Sequence, residues 1–221
     1  MKLALFDLDN TLLPIDSDYA WGEFSQQIGW TDPVSFKARN DQFYADYQAG
    51  SLDIHDYVRF ATDAVRQRGA VEAEKAHLQF MREIILPAVK PAAIDLVRQH
   101  QAAGDHVMIV TATNEFVTRP IAQVFGVSEL IAVELARDPL GWITGEIAGT
   151  PSFKEGKVAR VAEWLASRKL QWSDAHITFY SDSVNDLPLL EMAQSPIATN
   201  PDARLRQLAT DRGWRTLQLF S

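Results

Sequence analysis

The sequence predicts an α/β fold: an open parallel sheet flanked by helices, interrupted by an all-helical insertion. Three observations predict it. Short apolar runs of strand length recur at Lys2–Phe6, His106–Val110, Ile177–Tyr180 and Pro196–Thr199, separated by stretches with helical apolar spacing. Polar groups follow directly on the first three runs, as at the functional rim of an open sheet. Between the first and second runs, from about Tyr19 to His77, only helical spacing occurs.

The first run leads into Asp7-Leu8-Asp9-Asn10-Thr11, two carboxylates one residue apart. Strand side chains alternate, so Asp7 and Asp9 share a side while the strand persists. Carboxylates packed that closely repel unless a cation sits between them. Pro14 stops any regular element. In the helical stretch, Asp32-Pro33 suits a helix start, Asp53 caps the helix holding Tyr57 and Val58, and Gly69 marks a boundary. Glu72 to Ile85 reads as one more helix, with Leu78, Met81 and Ile85 on its inner face. Most aromatics here, Trp21 and Phe24 among them, read as core residues.

Pro87 and Pro91 mark the return to the sheet domain. A helix from Pro91 to Ala103, with Ile94 and Val97 inward, ends at Gly104. The next strand delivers Thr111-Ala112-Thr113-Asn114, a second polar cluster at a strand end. Val117 to Phe125 is helical, with Pro120 early in it or kinking it. Leu130–Leu135 reads as a strand and Gly141–Gly145 as part of a hairpin, with Asp138–Gly141 as turn material. Lys157 opens a helix carrying Val158, Val161 and Leu165. Ile177–Tyr180 ends in Ser181-Asp182-Ser183-Val184-Asn185-Asp186. A short helix (Leu187–Ala193), a strand (Pro196–Thr199), a helix (Asp202–Arg212) and an edge strand (Trp214–Phe220) complete the chain.

Composition narrows the function. The chain has 221 residues, 47% of them hydrophobic, and a formal net charge of -8, so nucleic acid is not its expected partner. It has no cysteine, which excludes disulfides, zinc-thiolate sites and a cysteine nucleophile. No apolar run reaches membrane-spanning length, and the N-terminus has no signal-peptide pattern; the expected setting is cytoplasmic. A glycine-rich turn after the first strand, which a dinucleotide-binding oxidoreductase would need, does not occur.

Strand carboxyl ends in a parallel sheet lie along one rim, so Asp7, Asp9, Thr111, Asp182, Asn185 and Asp186 come together, and the first turn of the Lys157 helix reaches the same rim. Carboxylates and a substrate phosphate suit Mg²⁺. An ammonium and a hydroxyl suit phosphoryl oxygens. One aspartate can attack phosphorus and another can move the proton.

At this point the sequence resembles the haloacid dehalogenase superfamily, and within it the subfamily IB, phosphoserine phosphatase-like branch, including bacterial members named as histidinol-phosphate phosphatases. Asp-Leu-Asp-Asn-Thr resembles the first motif and the strand into Thr111 the second. Lys157 in Glu-Gly-Lys-Val resembles the third, and Ser181 to Asp186 the fourth, although serines stand at 181 and 183 where glycine is usual. The likeness runs from Lys2 to about Ala198. It implies a Rossmann-like core of residues 1–15 and 87–221 with a small helical cap of residues 16–86. The implied roles are Asp7 as nucleophile and Mg²⁺ ligand, and Asp9 as general acid/base with its backbone carbonyl on the metal. Thr111 and Lys157 would hold the phosphoryl group. Asp182 would be the further metal ligand, Asp186 its support, and Asn185 a group oriented around the phosphate.

In phosphoserine phosphatases a glutamate nine residues after the nucleophile grips the substrate amine, and a cap arginine grips its carboxylate. Asp16 and Arg59 take those positions here. The shorter Asp16 points away from phosphoserine itself and toward a small phosphomonoester, with an amine facing Asp16. Two other classes stay open: phosphoryl transfer to another acceptor, as in a mutase or transferase, and a non-enzymatic binding protein on the same fold. Substrate, oligomeric state (monomer or homodimer) and extent of cap opening are not determined by the sequence.

Overall fold

The computed structural model describes residues 1–220. Its elements follow in chain order. Strand β1 (Lys2–Phe6) precedes helices α1 (Ser17–Gln27), α2 (Ser35–Ala49), α3 (Ile54–Arg68) and α4 (Ala70–Phe80), the last running through a π-helical stretch, Met81–Ile85, into α5 (Leu86–Ala88). Then come α6 (Pro91–Ala102), β2 (His106–Asn114), α7 (Glu115–Val124), β3 (Glu129–Val133), β4 (Leu135–Arg137) and β5 (Ile143–Ile147). The chain continues with α8 (Glu155–Ser167), β6 (His176–Ser181), α9 (Leu187–Met192), β7 (Ser195–Thr199), α10 (Ala203–Arg212) and β8 (Arg215–Leu217).

The central sheet has six strands in the order β3-β2-β1-β6-β7-β8, and every pairing in it is parallel. β1 lies centrally, between β2 and β6, so its carboxyl end is flanked by both other polar strand ends. The two-residue period of β1 sorts its side chains onto opposite faces. Leu3 and Leu5 join a core with Val161 and Leu165 of α8, Leu189 and Leu190 of α9, and Leu205 of α10. Ala4 and Phe6 join the other, with Val97 of α6 and Val117 and Ile121 of α7. That second core also takes in Trp21, Phe24, Val58 and Phe80 from the helical insertion. Trp21 packs edge-on against both Phe80 and Phe116, with ring centroids 5.2 and 5.4 Å away, so α1 is pinned to the sheet domain.

Capping follows the expected chemistry. Asp53 accepts N–H bonds from His55 and Asp56 at the start of α3, and Asp32 accepts from Val34 and Ser35 ahead of α2. Gly69 separates α3 from α4 at φ 77°, in the left-handed region that favours glycine.

Several elements differ from expectation. Leu78 is 66% exposed, and the buried face of α4 is Ala73, Ala76, His77 and Phe80. The π-helical stretch then widens one turn, which lets Met81 and Ile85 stay buried although they continue a different phase. In α6 Ala93 and Val97 are buried, and Ile94 is only half-buried. β2 does not stop at Val110 but carries Thr111–Asn114 as strand, with an irregular register between Val110 and Asn114. The apolar run Leu130–Leu135 is divided between β3 and β4, and β4 pairs antiparallel with β5 as a hairpin. The last strand is shorter than Trp214–Phe220.

Candidate active site

β1 ends at Phe6, and the Asp7 N–H extends its ladder by one bond to Tyr180 O at 2.9 Å. The chain then turns sharply: Leu8 O accepts from the amides of Thr11, Leu12 and Leu13, and Asn10 sits at φ 57°. This early turn separates the paired acids. Asp7 faces Lys157, whereas Asp9 faces Ser17 and Thr113. The strand ends before Asp7, so the two acids take different hydrogen-bond partners, yet both border one cavity.

Lys157 is 1% exposed, and its Nζ lies 2.8 Å from Asp7 Oδ1 and 2.7 Å from Asp186 Oδ1. The local sequence explains how it gets there. A Cβ on Gly156 would lie 1.9 Å from Pro151 O, so only glycine lets the start of α8 close on the Pro151 loop. Ser152, in the same loop, donates to Thr111 O at 2.6 Å and ties that loop to β2. Thr111 Oγ accepts from the Thr113 amide at 3.1 Å, which leaves its own hydrogen free to donate.

Asp9 is gripped at both oxygens: Ser17 N–H to Oδ1 at 2.7 Å and the Thr113 hydroxyl to Oδ2 at 2.8 Å. Asp16 caps α1, its Oδ1 accepting from the amides of Asp18 and Tyr19 at 3.1 and 2.9 Å.

The serines of Ser181–Asp186 have a structural use. Ser181 Oγ donates to Asp186 Oδ2 at 2.7 Å and accepts from Ser183 N, and Ser183 Oγ accepts from Asn185 N at 3.2 Å. Ser183 has φ -114°, an ordinary conformation, so this chain has no backbone need for glycine there. Asp182 is tied to Thr11 through its Oδ1 at 3.1 Å and its amide at 3.0 Å. Asn185 Nδ2 reaches Tyr47 O of α2 at 2.9 Å, and Lys154 Nζ reaches Gly50 O at 2.6 Å.

The electrostatics are those of an acidic cluster short of positive charge. Burial, with Asp186 nearby and Lys157 opposing, raises Asp7 to about 7. Burial and the charge of Asp16 raise Asp9 to about 7. Burial, then Asp7 and Asp186, hold Asp182 well above the usual carboxylate range. Burial works against the charge on Lys157, but Asp186 and Asp7 outweigh it and keep the amine cationic. One ammonium therefore serves several buried carboxylates, and the donors are hard oxygens, which fits a Mg²⁺ ion. Among the described residues no three His, Cys, Asp or Glu side chains converge into a ready-made cage.

Asp7, Asp9 and Thr111 border a cleft partly open to solvent, with ≈ 590 Å³ of space between its walls when the open part is included. Its other walls include Asp16, Asp18, Asn40, Phe43, Tyr44 and Tyr57. Trp21 and Phe24 lie in the core, as expected. Arg59 is not at the cavity. It is exposed and pairs with Asp56 at 2.5 Å and with Glu146 of β5 at 3.2 Å. Its place on the outer face of α3 corrects the expectation of a pocket role; nothing in the spacing of residues 50–59 distinguishes the two faces. Thr113 and Asp18 border the cavity as well, without having stood out in the sequence. Thr113 carries a signal there, since it shares a strand face with Thr111. Asp18 looks like an ordinary acidic residue in a first helical turn and gives no such signal.

The pattern of the haloacid dehalogenase-like hydrolases matches residues 4–191. A "Histidinol-phosphatase" from Neisseria meningitidis serogroup C (strain 8013) is 42% identical over 98% of both chains. A crystal structure described as a protein with unknown function from Bordetella pertussis Tohama I superimposes with TM-score 0.93 at 48% identity, over 99% of both chains. A substrate-bound phosphoserine phosphatase complex superimposes with TM-score 0.69, covering 98% of this chain and 92% of that one. It is only 16% identical and so speaks to the fold alone. The chain belongs to the haloacid dehalogenase-like hydrolase family, with that family's Rossmann-like fold. Within the family it is a phosphatase. Among the described residues no helix is long and apolar enough to cross a membrane.

Proposed function

We propose that the protein is a Mg²⁺-dependent phosphomonoester hydrolase that acts on a small, amine-bearing phosphorylated metabolite through an aspartyl-phosphate on Asp7. The observation that carries this is the cleft that Asp7, Asp9 and Thr111 all line, with Lys157 bonded to Asp7 behind it. An Asp7 carboxylate oxygen attacks phosphorus while the ester oxygen departs and takes the proton of Asp9. In the second half, the Asp9 carboxylate takes a proton from water as that water's oxygen attacks phosphorus, which releases phosphate and restores Asp7. Lys157 and the free Thr111 hydrogen steady the phosphoryl oxygens. Bound Mg²⁺, held by Asp7, Asp182 and the Asp9 main-chain carbonyl, would neutralise the acidic cluster and polarise the phosphoryl group. Asp186 holds Lys157 in place.

Residues 16–86 act as the cap over a core of residues 1–15 and 87–221. The bonds from Asn185 to Tyr47 O and from Lys154 to Gly50 O would be made on closure, which excludes water from the phosphoryl group. The amine-bearing substrate is supported by the acidic cavity wall and by the Neisseria relative's name.

The test is phosphate release from phosphoserine, histidinol phosphate, phosphoethanolamine, sugar phosphates, nucleotides and glycerol phosphates, with Mg²⁺ and with EDTA. Turnover strongest on an amine-bearing ester without a carboxylate, lost in EDTA and in Asp7→Asn, is expected. Substantial Mg²⁺-dependent turnover by folded Asp7→Asn would overturn the covalent route.

A further inference from the structure

We infer that Asp18 selects the leaving group, receiving a substrate ammonium inside the cavity that it lines together with Tyr44 and Tyr57. The inference rests on the phosphomonoesterase reading above and names the residue that sets its substrate class.

The two aspartates at the start of α1 have different jobs. Asp16 is explained by the helix itself, since its Oδ1 holds two backbone amides. Asp18 lies inside the first turn, where an aspartate ordinarily stays in water. Here it turns inward, is 6% exposed and lines the cavity. Its orientation is fixed from β2. Asn114, at the end of β2, caps α7 by accepting the Val117 amide on Oδ1 at 3.2 Å, so its Nδ2 is committed to donating to Asp18 Oδ1, also at 3.2 Å. From α3, Tyr57 borders the same cavity. Both neighbours are neutral. A buried carboxylate without a cationic partner is costly. No Lys, Arg or His side chain is among the described residues that line the cavity; Lys157 is engaged by Asp7 and Asp186, and among the described residues no ion pair reaches Asp18. Phe43, Tyr44 and Tyr57 supply further walls; Phe43 and Tyr57 meet edge to face with centroids 5.3 Å apart, and the Arg39 guanidinium lies over the Phe43 ring at 4.4 Å, which leaves Tyr44 and Tyr57 as the rings open to a substrate. Aromatic faces beside a carboxylate form a receptor for an organic ammonium and a poor one for a carboxylate. Burial and the nearby charge of Asp9 raise Asp18 to about 7, the response expected of an acid awaiting a cation.

The experiment compares two esters of equal length, 3-aminopropyl phosphate and n-butyl phosphate, in Mg²⁺. The wild type should favour the amine in kcat/KM by about 30-fold, the scale of a buried hydrogen bond to a charged group. In Asp18→Asn, with folding checked by circular dichroism, that ratio should fall to near one, mainly through KM for the amine. As a measurement independent of the variant, 3-amino-1-propanol should inhibit the wild type competitively and far more strongly than 1-butanol. Equal turnover of both esters by the wild type overturns this inference and leaves the phosphatase reading standing. A preserved ratio in folded Asp18→Asn removes Asp18 from the role. Equal inhibition by the two alcohols also counts against it. Failure to hydrolyse either ester, or any ester of the wider panel, overturns the phosphatase reading and this inference with it.

Discussion

The Thr113 hydroxyl donates a 2.8 Å hydrogen bond to Asp9 Oδ2, joining the end of β2 to the turn after β1. Asp9 is protonated in one half of the proposed reaction and ionised in the other, so this bond bears on both its aim and its acidity. It favours the carboxylate and partly offsets the upward push of burial. Thr113→Val should therefore raise the Asp9 pKa further above about 7. The acid form then persists to higher pH, and the alkaline limb of kcat/KM moves upward. Loss of aim should lower kcat by roughly 10- to 100-fold, the scale of a hydrogen bond to a charged group. A pH–rate profile of the variant reads both effects; an alkaline limb that moves downward would contradict the argument.

Lys157 is the shared partner of Asp7 and Asp186, and all three are buried. Lys157→Met would leave two buried carboxylates with no cation between them. Removing one partner of a buried ion pair costs about 3–5 kcal/mol. The variant should melt well below the wild type and release no phosphate. Lys157→Arg should not restore turnover, because the larger planar guanidinium does not fit a point-charge site. Thermal melts and phosphate assays on both variants check this.

Gly156→Ala should be among the most damaging small changes in the chain, since its Cβ would fall 1.9 Å from Pro151 O, a backbone atom that cannot swing away. Overpacking typically costs about 1–3 kcal/mol. Here the displaced element also carries Lys157, so activity should fall with stability. Gly29→Ala is the control: it meets nothing within 4 Å, and only its φ of +73° is unfavourable to alanine. Its cost should be about 1 kcal/mol, with activity retained.

Metal removal should change the sign of the pH response. Asp7 and Asp9 rise from 3.8 to about 7 on folding in the metal-free site. Groups whose folded pKa is raised bind more protons in the folded than in the unfolded state. Their stabilisation is fully present below the unfolded value and is lost as pH rises through the folded one. In EDTA these groups lower the melting temperature between pH 5.5 and 7.5. His77 acts oppositely: burial holds its pKa below 6.5, so its contribution is lost as pH falls below that value. The acids outnumber it, so the net slope in EDTA is downward with rising pH. Mg²⁺ competes with those protons, so its stabilisation should grow with pH and flatten or reverse the slope. Melting curves at pH 5.5 and 7.5, with EDTA and with Mg²⁺, decide the matter.

The sequence by itself determined the sheet and its reactive rim. Lys2–Phe6 is β1 as read, and the strands bearing Thr111 and Asp182 flank it, because apolar runs of strand length bury on both faces and polar residues collect at their ends. Lys157 was legible for a similar reason, as the opening residue of an amphipathic helix. Tertiary structure alone decided which side chains face the substrate. Arg59 and Asp18 are both charged residues near helix starts, and local spacing is silent on which turns inward; packing of α3 against β5 sends Arg59 to Glu146, while Asn114 holds Asp18 at the cavity. Leu78 shows the same limit, since the π-helical stretch changes the phase of the helix after it. Periodicity is a property of one element, whereas the direction of a side chain depends on groups far along the chain that come beside it only on folding.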